Sequence, residues 1–510
     1  MGLFSLLFAV AVHGSLVHYP TGNWVTAPGA LTGEAKSRQI LLVTVGGLRT
    51  DTAARLQLWA QAARQGATGV LASEIPSFDW PNLTAAVTGT PPDLSGILTD
   101  LHPGPASVDT LMLRLAQSGR DSVVAGSYAW SVLFGGQFAD SQRIALGEAA
   151  DADRQVTAAL ADFLSGEHAL VVGEYRNLDE VGHRHGVGQE YAEAALALDT
   201  QLQQLLAGVD LSQTTLVLVS THGLSQAGGC GGREAEVLSC PVLMLGAGVR
   251  PGSHIDGQLR DLAPTLAVLL GLPYPADSIG NPLFEGLLLD QGGAARLVHL
   301  ADDQRRSMAT SMLLSEGYSA YPELDGKEAL RQRVKLRARG IFWRWPLGFA
   351  WLALPVYIFM KLDRRQNSTA LAQAMAWGFL VTVSFHALVL LVGGGYSPSH
   401  ITSFSQLRNL VVFSGLLGLF LTTFFAFLRG LRPEPGRAAG SGLQVFIGAT
   451  LWMEAHLLVY ATIYGFPGQM DVPNPSATLI CLCVVGAMVG IAIGAPIGPW
   501  LARQASRWRG

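Results

Sequence analysis

The residues with the clearest chemical potential follow two short apolar runs of the sequence. Asp179 and His183 come just after the run Ala169–Val172, and His222 comes just after the run Thr214–Val219. Each run predicts a buried strand, and open α/β sheets bind ligands beyond the carboxyl ends of their strands. Carboxylate and imidazole groups together suit a borderline divalent metal such as zinc. The sequence therefore predicts a candidate metal site at this edge of a sheet.

Composition limits the class of protein that can carry this site. Of 510 residues, 49% are hydrophobic and only 14% are charged, a balance that predicts membrane segments in addition to a folded domain. The net charge of −4 gives no reason to expect a nucleic-acid partner. Four cysteines are too few for a disulfide scaffold.

The first half of the chain alternates apolar strands with amphipathic helices. The predicted strands are Gln39–Val45, Gly69–Ala72, Ser122–Ala125, Ala169–Val172, Thr214–Val219 and Val242–Leu245. The predicted helices are Asp51–Gln65, with Asp51 as its cap, Leu111–Gln117, Gln155–Leu164, Gln189–Leu206 and Leu259–Leu270. This alternation predicts the α/β class, with a mostly parallel sheet between helices.

The second half of the chain is predicted to be a polytopic helical membrane domain. Its apolar runs are long enough to cross a bilayer, which takes a helix of about 20 residues. The five predicted spans are Ile341–Met360, Ala370–Val392, Leu410–Leu428, Leu443–Tyr464 and Ala477–Trp500. We divide the chain into an N-terminal membrane anchor (1–19), an α/β domain (35–290), a charged helical juxtamembrane linker (291–340) and the membrane domain (341–502).

Basic residues in the loops predict the orientation of these spans. Arg364 and Arg432 lie in two basic loops, and the C-terminus is also basic. By the positive-inside rule these segments are cytoplasmic, which places the α/β domain outside the cytoplasm, in a periplasm, a lumen or the cell exterior.

Several motifs together resemble the alkaline-phosphatase superfamily, in particular its type I phosphodiesterases and the glycosylphosphatidylinositol (GPI) ethanolamine-phosphate transferases. The similarity covers roughly residues 39 to 285. The stretches that carry it are Ile40–Asp51, Pro76–Asn82, Thr88–Pro92, Asp179–Gly186, Ser220–Gly232 and Asp261–Leu266. The resemblance implies an alkaline-phosphatase-like fold, a lipid-linked substrate and phosphoryl transfer through two metals, usually zinc, with a covalent intermediate on Thr or Ser.

Four positions of the implied site depart from the family pattern. The first-turn Asp falls on Gly46, the nucleophile on Asp79, the Asp before the third loop's His on Thr221, and the later His of that loop on Cys230. The family's ligands are matched at Asp179, His183 and His222. The two-metal site is therefore expected to be degenerate.

Two interpretations of Cys230 stay open. It can join Asp179 and His183 as a thiolate ligand, with Asp79 as a further carboxylate, in a single-zinc site. It can instead form a disulfide with Cys240, since the compartment is predicted to be oxidising.

The leading functional hypothesis is a catalytically impaired relative, a pseudoenzyme of the kind of protein that acts in GPI-anchor biosynthesis. It would serve as a lipid- or glycan-binding or assembly subunit with one zinc ion or none. Its expected partners are the lipid bilayer, a lipid-linked glycan or phospholipid, and a membrane-protein partner. The rival hypothesis is an active phosphoethanolamine transferase or phosphodiesterase with an altered, single-metal site.

Overall fold

The computed structural model describes residues 26–143, 149–319, 324–332, 335–336, 368–392, 395–431, 444–453, 455 and 475–507. They form two compact units, one within residues 26–335 and the other within residues 336–507. The predicted N-terminal anchor and the first predicted span, Ile341–Met360, lie outside the described residues, as does half of the predicted fourth span, Leu443–Tyr464.

An eight-stranded sheet forms the centre of the first unit, and its strands run in the order β4-β3-β5-β1-β6-β7-β2-β8. In chain order the strands are β1 (Gln39–Val45), β2 (Ala67–Ala72), β3 (Ser122–Gly126), β4 (Asp140–Arg143), β5 (Leu170–Tyr175), β6 (Thr214–Ser220), β7 (Ser239–Gly246) and β8 (Ser253–Gln258). Only β7 runs antiparallel to its neighbours among the pairings of this sheet. The predicted class, a mostly parallel sheet between helices, is confirmed.

Helices cover both faces of the sheet. They are α1 (Thr50–Ala53), α2 (Gln57–Gln65), α3 (Asp79–Thr88), α4 (Pro92–Ser95), α5 (Leu111–Gln117), α6 (Tyr128–Phe134), α7 (Ala149–Leu164), α8 (Asn177–His185), α9 (Gln189–Leu206), α10 (Ala235–Leu238), α11 (Leu262–Leu270), α12 (Gln291–Ser315) and α13 (326–332). The predicted helix Asp51–Gln65 is divided into α1 and α2, and the side chain of Asp51 pairs with Arg49 instead of capping the helix.

Strand β1 shows why the core lies on both sides of the sheet. All seven of its residues are buried. Because strand side chains alternate between faces, Ile40 and Leu42 pack in one hydrophobic cluster, whereas Leu41, Val43 and Val45 pack in the other. Each fully buried side chain of this kind contributes roughly 1.5–3 kcal/mol relative to exposure. The central strand is thereby held rigidly, and so is its carboxyl end.

The second unit consists of apolar helices, α14 (Ser368–Val392), α15 (Phe404–Gly430), α16 (Gln444–Met453) and α17 (Pro475–Arg507). Three segments are long and apolar enough to cross a membrane, namely Gln373–Leu391, Ser405–Gly430 and Thr478–Arg507. Helices α15 and α17 pack very closely through glycines, since a Cβ atom on Gly490 would lie 1.9 Å from the carbonyl oxygen of Gly415. Small residues permit such close approach of helices in membranes.

Candidate functional site

The carboxyl ends of β1, β5 and β6 meet at one edge of the sheet and build the candidate site. In the parallel register Val45 lies beside Tyr175 on one side and beside Ser220 on the other. The residues that follow these strands are therefore brought to the same level. Gly46 follows β1, helix α8 with its Asp179 follows β5, and Thr221 and His222 follow β6.

Asp179 and His183 lie on the helix that follows β5. Helix α8 begins two residues after β5, and Asp179 and His183 are one turn apart on it, with His183 Nε2 3.3 Å from Asp179 Oδ2. The buried carboxylate of Asp153, on α7, accepts hydrogen bonds from the backbone amides of Arg176 and Asn177, at 2.9 and 3.3 Å. Asp153 thus fixes the start of α8 and, through it, the position of Asp179.

Asp79 reaches the site from a different part of the fold. It is the first residue of α3, a helix whose other nine residues are all buried. The hydroxyl of Thr221 donates a hydrogen bond of 2.7 Å to Asp79 Oδ1. The nucleophile position implied by the family resemblance therefore holds a carboxylate that is already hydrogen-bonded inside the site.

Asp79, Asp179 and His222 form the centre of the site, with one potential ligand atom of each within 4.8 Å of the others. His222 Nε2 lies 3.2 Å from Asp79 Oδ1 and 3.9 Å from Asp179 Oδ1. The three side chains are 17%, 7% and 1% exposed in the order Asp79, Asp179, His222. Cys230 and His183 are not members of this close group, so their roles as ligands stay predictions.

Electrostatics tie the three groups together. Burial by itself would lower the pKa of His222, but the carboxylates of Asp79 and Asp179 raise it to about 10. Burial would likewise raise the pKa of Asp79, but the charge of His222 and the hydrogen bond from Thr221 hold it below its usual range. The raised pKa of His222 and the lowered pKa of Asp79 favour an ion pair between these two side chains.

The donor set fits one divalent cation. Nδ1 of His222 donates to the carbonyl of Gly223 at 3.0 Å, which leaves Nε2 facing the carboxylates. That Nε2 and Oδ1 of Asp179 are buried without a hydrogen-bond partner among the described residues. Two carboxylate oxygens and one imidazole nitrogen suit zinc or a similar ion.

Space for a side chain at position 46, just after β1, is tight. A Cβ atom on Gly46 would lie 3.1 Å from Asp179 Cβ and 3.4 Å from Asp79 Oδ1. Gly47 has φ +72°, and a Cβ there would lie 2.7 Å from Asp179 Oδ1. The side chains of Asp79 and Asp179 thus occupy the space into which a ligand from position 46 would project.

Cys230 and Cys240 are both free thiols. Cys240 lies on β7 and is buried, whereas Cys230 lies in the loop after His222. Burial raises the pKa of Cys230 well above the usual value, and the carboxylates of Asp179, Asp100 and Asp79 raise it further. The raised pKa favours the thiol form of Cys230 in the metal-free protein, and the disulfide alternative is not formed.

Sequence reasoning assigned no role to three further charged residues of the site. Asp100 Oδ1 accepts from the backbone amide of Trp80 at 2.8 Å, and burial together with the charge of Asp79 raises its pKa to about 7. Glu174 is buried on β5 and accepts from the amide of Ser127 at 2.7 Å. The charge of Arg176 acts on both residues and on the central carboxylates. The one signal in the sequence that could have identified any of the three was Glu174, a glutamate in an otherwise apolar strand.

Sequence comparisons find partial similarity to phosphodiesterases and to phosphoethanolamine transferases. A family model described as type I phosphodiesterase / nucleotide pyrophosphatase matches residues 121–235. The human GPI ethanolamine phosphate transferase 2, catalytic subunit, is 26% identical over 352 residues, which cover 63% of this chain and 34% of that protein. The human GPI ethanolamine phosphate transferase 3, catalytic subunit, is 27% identical over 267 residues, which cover 50% of this chain and 24% of that protein. The chain thus spans about a third of these relatives or less.

Among solved structures, a protein in the alkaline phosphatase superfamily from Vibrio parahaemolyticus aligns with a TM-score of 0.39 and 13% identity, over 56% of this chain and 80% of that chain. With three apolar helices long enough to span a bilayer and relatives of this kind, the chain is an integral membrane protein. The chain is similar to type I phosphodiesterases over residues 121–235 and to the GPI ethanolamine phosphate transferases over half of its length or more.

Proposed function

We propose that this protein is a catalytically impaired relative of the phosphoethanolamine transferases, which binds a lipid-linked glycan or a phospholipid, or assembles with a membrane-protein partner. The observation that carries the proposal is the charge and the hydrogen bonding of Asp79, at the position of the family's nucleophile. A phosphoryl acceptor must present a nucleophile to an anionic phosphate. Asp79 carries a negative charge where the family's Thr or Ser is neutral, and its carboxylate is already hydrogen-bonded to Thr221 and close to His222.

The charge around Asp79 supports the same conclusion. Asp79, Asp100, Glu174 and Asp179 place four carboxyl groups at one strand edge. Carboxylates that are not neutralised by metal ions repel a phosphate. The raised pKa values of Asp100 and Glu174 reduce their negative charge, and His222 and Arg176 offset charge on the other two groups, so the repulsion comes mainly from Asp79 and Asp179.

We propose that the site holds at most one divalent cation, between Asp79, Asp179 and His222. When bound, such an ion supplies a Lewis acid and a positive charge in the place of the proton on His222. Gly46 offers no ligand, and Cys230 would have to lose a proton on binding a metal ion, from a thiol whose pKa is raised by burial and by nearby carboxylates. The same three ligands support the rival function, an active single-metal phosphodiesterase or transferase.

Metal content and activity discriminate between the two functions. The purified full chain should contain no more than one zinc per molecule by elemental analysis, and it should not hydrolyse an aryl phosphodiester. An Asp179→Ala variant should lose the bound ion, with no activity to lose. The impaired-enzyme proposal fails if the unchanged protein turns over the diester and Asp179→Ala abolishes that turnover.

Binding is tested separately from catalysis. The unchanged protein, extracted in mild detergent, should retain a phospholipid or a lipid-linked glycan or a protein partner. Native mass spectrometry of the extracted protein detects each of these. Detection of none of them would remove the binding or assembly role, even if the enzyme proved inactive.

We also propose that the α/β domain lies outside the cytoplasm. The proposal rests on the basic loops around Arg364 and Arg432, which lie outside the described residues. Single-cysteine labelling with a membrane-impermeant reagent should mark a position near Asp179 in intact cells or sealed vesicles and leave both basic loops unmarked. Labelling of the domain and the loops from the same side would contradict this orientation.

A further inference from the structure

A cavity of about 620 Å³ lies on the first unit, and none of the residues of the candidate site lines it. Its walls come from the turn after β8, from the loop that precedes α12, and from helices α12 and α13. Four of the lining residues are cationic, namely Arg260, Arg305, Lys327 and Arg331, and one is a carboxylate, Asp261. Nothing in the metal site or in the proposed function uses this basic pocket.

Two of its arginines are held by the fold. The side chain of Arg305 is only 4% exposed. Its Nη1 donates to Asn281 Oδ1 at 2.6 Å, and its Nε is buried without a partner among the described residues. Arg260 donates from Nη1 to Glu74 Oε2 at 2.8 Å and is 22% exposed. These guanidinium groups are pre-organised, so binding an anion would not need to order them.

The other two cations lie on α13 at the exposed side of the pocket. Lys327 is exposed, and its ammonium group has no ion pair with any carboxylate in the part of the chain that the structure describes. Arg331 is 70% exposed and lies 3.4 Å from Glu328, a surface pair that stabilises little. Both side chains are free to turn toward a bound anion.

The carboxylates near the pocket are already engaged. Glu74 pairs with Arg260, and Asp302 lies 3.4 Å from Arg305 and accepts from the amide of Gly326. Asp261, the one acid in the wall, accepts from the backbone amides of Gln258 and Asn281, at 2.8 and 2.7 Å. The pocket therefore offers mainly hydrogen-bond donors on cationic groups.

We propose that the basic pocket binds a phosphate group, carried by an anionic phospholipid headgroup or present as free phosphate. Guanidinium groups match phosphate oxygens in a two-pronged geometry, and lysine adds a point charge. Ile279 and Leu330 complete the wall with apolar surface, which a lipid glycerol could cover. In the sequence α13 leads into the predicted first span, which favours a lipid headgroup as the source.

The test uses the full chain in nanodiscs of phosphatidylcholine, with and without phosphatidic acid. Native mass spectrometry should show retained phosphatidic acid if the source is a lipid. Titration with inorganic phosphate, against chloride at equal ionic strength, should raise the thermal unfolding midpoint saturably if the source is free phosphate.

Variants locate the site. The double variant Lys327→Gln with Arg331→Gln should bind whichever ligand gives a response about tenfold more weakly, or weaker still. This is the usual effect of losing a charge-assisted hydrogen bond. Arg55→Gln with Arg64→Gln, which removes two exposed cations of the α1–α2 region, should leave it unchanged. The proposal is overturned if neither ligand gives a response, if the Lys327/Arg331 variant binds like the wild type, or if the control loses as much.

Discussion

The crowding around Gly46 gives the sharpest prediction. Gly46→Asp would add a carboxylate to the close group of Asp79, Asp179 and His222, and its Cβ would start 3.1 Å from Asp179 Cβ and 3.4 Å from Asp79 Oδ1. Two charges about 4 Å apart repel by about 4 kcal/mol at an effective dielectric constant of about 20. In the metal-free protein we expect Gly46→Asp to lower the free energy of unfolding by roughly that amount.

Restoring the charge balance should remove this effect. In Gly46→Asp with Asp79→Thr the number of carboxylates equals that of the wild type, and the shorter Thr leaves space for the new side chain. The double variant should therefore be more stable than Gly46→Asp alone. Adding Thr221→Asp and Cys230→His supplies further ligands, so the fourfold variant should bind two zinc ions where the wild type binds one or none.

Chemical unfolding in detergent, with and without a chelator, measures the stability of each variant, and elemental analysis after gel filtration measures its zinc. Each single replacement should change the zinc content little, because residues that act as a unit are far from additive. The reasoning is refuted if Gly46→Asp costs nothing without metal, or if the wild type already holds two zinc ions.

Three other predictions concern stability, thiols and the membrane helices. Burial raises the pKa of Asp153 to about 7, so Asp153 keeps a proton in the folded protein that it loses near pH 4 in the unfolded chain. The free energy of unfolding should therefore fall by at most about 4 kcal/mol as the pH rises from 4 to 7. Asp153→Asn should flatten this pH dependence in unfolding experiments. Cys230 and Cys240 should both be alkylated in unfolded, unreduced protein and resist alkylation in folded protein at neutral pH, as read by peptide mass spectrometry; a disulfide-linked peptide would contradict this. Gly490→Val should destabilise the packing against Gly415 by about 1–3 kcal/mol or more. This loss should appear as a lower thermal unfolding midpoint in detergent. A substitution at a lipid-facing residue should leave the midpoint unchanged.

Much of the fold could be predicted because local patterns agree with it. Strand β1 and helices α5 and α9 have the predicted bounds. Strands β4 and β8 were not predicted. They are short and largely polar, and their positions at the two edges of the sheet demand no apolar run. The antiparallel direction of β7 was also not predicted, because strand direction depends on the path of the connecting loops.

The sequence by itself determined that Asp179, His183 and His222 follow strands, since apolar runs mark buried strands wherever they pack. It also determined that Gly46 can ligate nothing, because glycine has no side chain. Only the tertiary structure decided that Asp79 joins Asp179 and His222. A residue that begins a separate helix reaches the strand edge through packing across the sheet, and no local pattern encodes that approach. The same holds for Asp100, 21 residues further along the chain, whose place in the site depends on one backbone amide of α3.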